Sequence, residues 1–360
     1  MESKWGPMEN VGQRAPICCQ DQKGEWKMSD SFWRHKNVLI TGCTGILGSW
    51  LTMHLVEKSA NAIGLIRDLV PRSNLNWSGF HTKINIVRGP LSDYELLLRA
   101  LNEYEVDTIF HLAAQTIVTI ANWSPLSTFE SNIKGTWNLL EAARQTKTVE
   151  RVIVASSDKA YGEHNRLPYK EDFSLQGRHP YDVSKSCVDL LAQSYYHTYK
   201  MPIGIARCGN IYGGGDLNFN RVIPGTIRSL YDHEPPVIRS DGTPERDYLY
   251  VKDAVEAYLT LARFLDQDEI RGQAFNFSNE QPITVLDLVQ KIVKIYGKTD
   301  LLAKIIGKGK QKGEIQRQYL SSEKARRFLK WKTTYSMDEG LRETIDWYRA
   351  FFDHQNMSLG

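Results

Sequence analysis

Five short, mostly apolar runs, with stretches of helical periodicity lying between them, set the tightest limit on how this chain folds. They are NVLIT at 37–41, NAIGLI at 61–66, INIVRG at 84–89, TIFHLAA at 108–114 and RVIVASS at 151–157. The intervening stretches GSWLTMHLVEK at 48–58, YELLLRALNEY at 94–104 and TFESNIKGTWNLLEAAR at 128–144 have helix length. Strands joined through helices pair in parallel and are covered on both faces, which suits runs that are predominantly apolar. The pattern predicts an α/β fold built on a doubly wound parallel sheet. Another helix is predicted over 181–199, where Val183, Cys187, Leu190, Leu191 and Tyr195 share a face. Beyond PIGIAR at 202–207, turn residues become dense in GNIYGGGD at 209–216, PP at 235–236 and SDGTP at 240–244. That shift predicts a second, smaller C-terminal α/β domain, completed by AFNFS at 274–278 and helices at 284–296 and 338–352.

Composition removes several function classes. A net charge of +3 over 360 residues is too small for nucleic acid to be the main partner, and the basic run KGKQKG at 308–313 reads as solvated surface. No stretch approaches the roughly 18–20 apolar residues that a membrane span needs, and the N-terminal stretch has no apolar core of a secretory signal. Five cysteines without paired spacing argue against a zinc site, so no metal is expected. The adjacent Cys18 and Cys19 read as inert residues of a polar tail, and the whole as a reduced, cytoplasmic protein.

TGCTGILGSW at 41–50 follows the first predicted strand and opens the first predicted helix. Gly42, Gly45 and Gly48 permit a tight turn and close backbone approach to a pyrophosphate, which then sits at the positive end of the helix. At the end of the second strand, a carboxylate favours NAD through the adenosine ribose, and an arginine favours the 2′-phosphate of NADP. Arg67 and Asp68 present both types, so NAD is the first reading and NADP stays open.

PYDVSKS at 180–186 places Tyr181 and Lys185 four residues apart on one helix, hence on one face. A cation beside a phenol favours the phenolate, which lets the tyrosine exchange a proton with a sugar hydroxyl. The glycine turn, HLAAQ at 111–115, SSD at 156–158 and this pair together resemble the extended short-chain dehydrogenase/reductase family, from about residue 32 to the C-terminus. Within it, FWRHKNVLITGCTGILGSWL at 32–51, SSDKAYG at 156–162 and GNIYGGGD at 209–216 resemble the nucleotide-sugar 4,6-dehydratases, CDP-glucose 4,6-dehydratase most of all.

The resemblance implies a Rossmann domain over 32–208 with a returning segment near 246–268. It leaves 209–245 and 269–360 as a substrate-binding domain and 1–31 as an N-terminal extension, in which Met28 is an alternative start. It implies NAD contacts from Gly42, Thr44, Gly45, Ile46, Leu47, Gly48, Arg67, Asp68, Leu91, Ala113, Ala114, Gln115, Asn132, Tyr181 and Lys185. A nucleotide-diphosphate sugar would meet Gln115, Ser157, Asn210, Arg221 and Arg246, arginine being suited to two phosphate oxygens at once. It further implies that Tyr181 takes the C4 hydroxyl proton while NAD accepts the C4 hydride, which acidifies C5. Water is then eliminated across C5 and C6, and the hydride returns to C6. Ser157 would bond the C4 oxygen and Asp158 would protonate the departing C6 hydroxyl. Lys159 stands where dTDP-glucose dehydratases carry a glutamate base and CDP-glucose dehydratases a lysine.

A lysine base must lose its proton well below the ordinary value of about 10.4. Burial favours that loss and a charged Asp158 opposes it, so base and electrostatic stabiliser of the enolate are both open for Lys159. Two departures stand out. PERDYLY at 244–250 differs from the R-P-W-Q-H type of CDP-glucose dehydratases, which leaves the nucleotide open, and Pro90 replaces a common aspartate. A 4-epimerase of the same family is the alternative function; it would leave Asp158 and Lys159 idle. A uronate decarboxylase and a non-catalytic dinucleotide binder rank lower, the latter opposed by intact Ser157, Tyr181 and Lys185. Helices 128–144 and 181–199 offer apolar faces for a homodimeric four-helix bundle, as in the family, or for packing within one subunit.

Overall fold

The computed structural model describes residues 30–307, 309 and 315–357, and a short antiparallel pairing of Cys18–Gln20 with Trp26–Met28. Most of the N-terminal extension otherwise lies outside the described residues, as do the Cys18 and Cys19 side chains and, Gly309 apart, the KGKQKG stretch.

Seven strands make one sheet: β1 (Asn37–Thr41), β2 (Asn61–Ile66), β3 (Asn85–Arg88), β4 (Thr108–His111), β5 (Arg151–Ala155), β6 (Ile203–Cys208) and β7 (Ala274–Phe277). All neighbours pair in parallel, in the order β7-β6-β5-β4-β1-β2-β3. The chain leaves β1 toward one edge and returns at β4 to build toward the other. Such a reversal leaves a crevice beyond the strand ends between β1 and β4, where open α/β sheets bind ligands.

The longer helices are α1 (Ile46–Glu57), α2 (Tyr94–Glu103), α3 (Gly135–Gln145), α4 (Pro180–Tyr199), α5 (Val222–Tyr231), α6 (Val251–Phe264), α7 (Val285–Tyr296) and α8 (Met337–Met357). Alternate strand residues feed opposite faces. Val38, Ile40, Phe110 and Ile153 pack with Leu51 and Leu55 of α1 and Leu261 of α6. Leu39, Ile109 and Val152 pack with Leu97 of α2, Leu139 of α3 and Val188 of α4. Burial of each such side chain contributes about 1.5–3 kcal/mol, so the sheet is rigid where the crevice opens.

The second region gathers Ile227, Leu288, Ile292, Leu341 and Tyr348 of α5, α7 and α8 around short strand pairs. Trp50 of α1 donates to the Gly214 carbonyl at 2.8 Å, and Trp347 of α8 donates to Asn74 at 3.1 Å, tying the two regions across the crevice.

Two expectations change. Ala274–Phe277, assigned from sequence to the second domain, is the edge strand β7, so the returning segment reaches 277. The helix expected over 128–144 is broken into Pro125–Phe129, a π-turn over Glu130–Lys134, and α3. The wider turn turns Asn132 inward, as described below. At the start of α3 a Cβ on Gly135 would come within 2.6 Å of the Leu91 side chain, so the close approach of the turn between β3 and α2 selects glycine there.

Candidate active site

The crevice is a cavity of about 1030 Å³ whose lining runs from the glycine turn through the centre of the sheet to the second region. At one end Gly42 has a positive φ of 75°, and a Cβ on it would lie 2.8 Å from the Ala113 nitrogen. A Cβ on Gly48 would lie 2.1 Å from the Gly42 carbonyl oxygen. Helix α1 begins at Gly45 with neither a side-chain cap nor an acidic residue in its first turn. Its first N–H groups and positive dipole end are therefore presented to the cavity beside Thr44, Ile46 and Leu47. That cradle fits a pyrophosphate.

Arg67 and Asp68 lie further along the same wall, paired at 2.6 Å and both largely exposed. Leu91, Ala113, Ala114 and Gln115 complete this half. The wall is held by Thr41, whose hydroxyl oxygen accepts from the Leu112 and Ala113 nitrogens, each at 3.1 Å. Behind it His111 bonds Thr41 and Thr136, and burial lowers its pKa to about 3, so the ring is neutral. Asn132, expected to touch cofactor, does not line the cavity. Its side chain bonds the Gln115 backbone at 2.7 and 3.2 Å and the Ser184 hydroxyl at 2.9 Å, so it holds Gln115 in place.

At the centre, β5 ends in Ser156 and Ser157, and a 3-10 turn over Asp158–Tyr161 follows. Ser157 caps that turn, accepting from the Lys159 nitrogen at 3.2 Å, and its hydroxyl donates to Asp158 Oδ1 at 2.9 Å. Asp158 is buried, and among the described residues its Oδ2 has no hydrogen-bond partner; neither does the Ser156 hydroxyl. Orphaned buried oxygens are costly in a finished core, and here both residues line the cavity. Burial lowers the pKa of Lys159; Asp158 pushes it back up, Arg246 lowers it, and Asp182 and Asp247 raise it.

Pro180 at the first position of α4 sets the helix that carries Tyr181 and Lys185 into the cavity. Lys185 donates to the Ala155 carbonyl at 2.7 Å, and burial lowers its pKa to about 8. The Tyr181 phenol is pushed up to about 12 by burial and by the Asp158 charge, against Arg221 and a hydrogen bond with Ser157. The expected depression by Lys185 is thus not what dominates this phenol.

At the far end, Asn210 donates to the Asp247 carbonyl at 3.3 Å, and Arg221 is held by Asp216 at 3.0 Å; both line the cavity. Arg246, expected to meet substrate, is not among the residues that line the cavity. Its guanidinium donates to the carbonyls of Glu245 and Ile315 at 2.8 and 2.5 Å and of Gln316 at 3.2 Å, turning it toward the C-terminal segment. Gln318, which no motif marked, is fully buried and takes the hydrogen bond of the Lys159 ammonium. Among the described residues, no cluster of His, Cys, Asp and Glu is placed to hold a metal ion, and no helix is long and apolar enough to cross a membrane.

Known proteins resemble this chain in sequence and fold. A family model described as GDP-mannose 4,6 dehydratase matches residues 39–344. A CDP-glucose 4,6-dehydratase of Salmonella typhimurium is 28% identical, over 91% of this chain and 95% of that protein. The structure of an epimerase from Methanothermobacter thermautotrophicus superposes with a TM-score of 0.82 at 29% identity, covering 91% of this chain and 96% of that one. A dTDP-glucose 4,6-dehydratase from Bacillus anthracis, solved in complex with NAD, superposes with a TM-score of 0.77 at 25% identity, over 88% and 97% of the two chains.

Proposed function

The chain belongs to the GDP-mannose 4,6-dehydratase family, and on that premise we propose that it is a nucleotide-hexose 4,6-dehydratase using NAD, with CDP-glucose as first-choice substrate. The observation that carries this reading is the pairing, in one cavity, of a buried carboxylate with an unpartnered oxygen, Asp158, and a lysine whose proton is loosened, Lys159. Dehydration needs an acid for C6 and a base for C5; epimerisation at C4 needs neither.

The glycine cradle would hold the NAD pyrophosphate, Arg67 and Asp68 the adenosine ribose, and Leu91 and Ala113 to Gln115 the rest of that wall, with Tyr181 and Lys185 at the nicotinamide side. NAD, when bound, supplies an acceptor that takes hydride from C4 and returns it to C6, and a positive charge in the cavity that eases ionisation of a phenol. Tyr181 Oη takes the proton of the C4 hydroxyl, and Ser157 turns its hydroxyl from Asp158 Oδ1 to donate a hydrogen bond to the C4 oxygen. Lys159 Nζ then removes the C5 proton, whose bonding pair becomes the C5–C6 double bond as the C6–oxygen bond breaks. Asp158, which must enter this step protonated, gives its proton to that oxygen, and one water leaves; as hydride would return to C6, Lys159 gives its proton back to C5. Asn210 and Arg221 would orient the nucleotide diphosphate; Arg246 would join them only by releasing its backbone carbonyls.

The test incubates the purified protein with CDP-, dTDP-, GDP- and UDP-glucose. A 4-keto-6-deoxy product, seen by its near-ultraviolet absorbance in alkali, is expected with CDP-glucose. Clean interconversion of C4 epimers without keto-sugar would instead establish the epimerase reading, which the fold of the Methanothermobacter epimerase accommodates.

The same proposal includes a homodimer and a cytoplasmic location. Trp123, Leu126, Trp137, Leu190 and Tyr199 are exposed by 43% or more on and beside α3 and α4, an apolar surface suited to a second copy. Leu190→Arg is expected to halve the mass seen by light scattering. Cys43, Cys187 and Cys208 are free thiols, as a reducing compartment allows.

A further inference from the structure

Lys159 is ringed by carboxylates, yet its ammonium bonds none of them. Asp158 on its own turn, Asp182 on α4 and Asp247 on the 245–250 segment all act on it electrostatically, as does the cation Arg246. The hydrogen bond that its Nζ makes among the described residues goes instead to Oε1 of Gln318. The other end of that amide donates from Nε2 to the Asp158 carbonyl at 3.1 Å. The orientation of the amide follows from the partners, since an ammonium only donates and a peptide carbonyl only accepts. Gln318 thus grips two successive residues of the turn that carries the acid and the base.

The backbone beneath Gln318 is itself held. Arg317 and Gln318 pair in register with Glu245 and Arg246. Arg317 bonds Glu245 at 2.8 Å, and Arg246 clasps the carbonyls of Ile315 and Gln316 just upstream. Just downstream, the Leu320 nitrogen donates to Asp247 Oδ2 at 3.2 Å. A flexible four-carbon lysine among carboxylates would otherwise settle into an ion pair, and an ion pair keeps the proton on nitrogen. A neutral amide fixes the position of the nitrogen and favours its proton less than a carboxylate does.

We propose that Gln318 is a positioning residue for the dehydration: its amide holds Lys159 Nζ at the cavity, off the surrounding carboxylates, so that the nitrogen can act as the C5 base. This rests on the reading of Lys159 as that base. Arg246, turned away from the cavity, then serves the reaction by fixing the strand on which Gln318 stands.

The experiment uses the full-length, NAD-loaded protein with CDP-glucose, or with whichever of the four nucleotide-glucoses yields keto-sugar. It measures kcat and KM against pH and deuterium incorporation at C5 from heavy water. Gln318→Glu keeps the side-chain shape but sets a carboxylate on Nζ. The acid limb of kcat is expected to move up by about one pH unit or more, a loss of roughly tenfold at pH values below it, with KM little changed. Gln318→Asn keeps the amide but shortens it by a methylene, which releases Nζ to the surrounding carboxylates; it is expected to lose about tenfold or more in kcat, with the acid limb moved up as well. A wild-type profile in Gln318→Glu, or wild-type kcat in Gln318→Asn should the first variant not fold, overturns the inference. Lys159→Ala separates the two claims. If it abolishes C5 exchange while the Gln318 variants behave as wild type, only the positioning role fails; if it leaves C5 exchange intact, the base reading fails.

Discussion

Gly48 and Gly45 belong to the same glycine turn, but the structure assigns them different costs on substitution. In Gly48→Ala the new methyl would stand 2.1 Å from the Gly42 carbonyl oxygen, 2.8 Å from its carbon and 2.9 Å from the Cys43 Cα. All three are backbone atoms that cannot rotate away. Reaching ordinary contact requires α1 to retreat from β1 by about an ångström. Overpacking of this kind costs about 3 kcal/mol, near the upper end of the usual range, which lowers the melting temperature of a chain this long by roughly 4 °C. The same retreat withdraws the helix N-terminus from the pyrophosphate site, and a misplacement of about 1 Å costs on the order of 100-fold where geometry matters. In Gly45→Ala the nearest atom is the Gly42 oxygen at 3.3 Å, and φ is −76°, so stability should change by no more than about 1 kcal/mol. Thermal unfolding without cofactor and titration calorimetry with NAD read the two effects separately. Equal melting temperatures for the two variants, or wild-type NAD affinity in Gly48→Ala, would refute the close-approach argument.

Three further outcomes follow from other parts of the molecule. Tyr181→Phe should lower kcat by about 10²–10⁴-fold while NAD still binds; a smaller loss would mean that another group takes the C4 proton. The Arg207 guanidinium is buried against Asp189 at 2.7 and 2.9 Å and against the Tyr161 hydroxyl at 2.7 Å, so Asp189→Ala strands a charge and should cost about 3–5 kcal/mol in urea unfolding, with less than 1 kcal/mol counting against the account. Asp247 is pushed up to about 7 by burial, opposed by the Ser278 hydrogen bond and reinforced by the Asp158 charge. Because the folded state holds that proton more tightly than the unfolded chain, its contribution is complete below about pH 4 and is lost as pH rises to about 7. Asp247→Asn should therefore gain in melting temperature relative to wild type across that interval, and a constant difference would reject the assignment.

Much of the fold was legible because its signals are local. The glycines at 42, 45 and 48 and the run of apolar strands each carry their meaning within a few residues, and β1 and β2 have the bounds expected from sequence. The Tyr181–Lys185 pair was legible for the same reason: helical spacing alone places both on one face. What escaped depends on distant partners. Ala274–Phe277 reads as a strand, but nothing in four residues says that its neighbour is β6. The direction of the Arg246 side chain is decided by carbonyls about 70 residues away in sequence. Gln318 lies 159 residues from Lys159 and outside any motif, so only the three-dimensional structure brings them together.

The account stands or falls on the C5 proton. In heavy water the wild-type protein should place solvent deuterium at C5 of the 4-keto-6-deoxy product. Lys159→Ala should abolish that incorporation yet retain the first oxidation, read as loss of the label from C4-deuterated substrate. Unimpaired exchange at C5 in this variant would contradict the account, because some other group would then be the base.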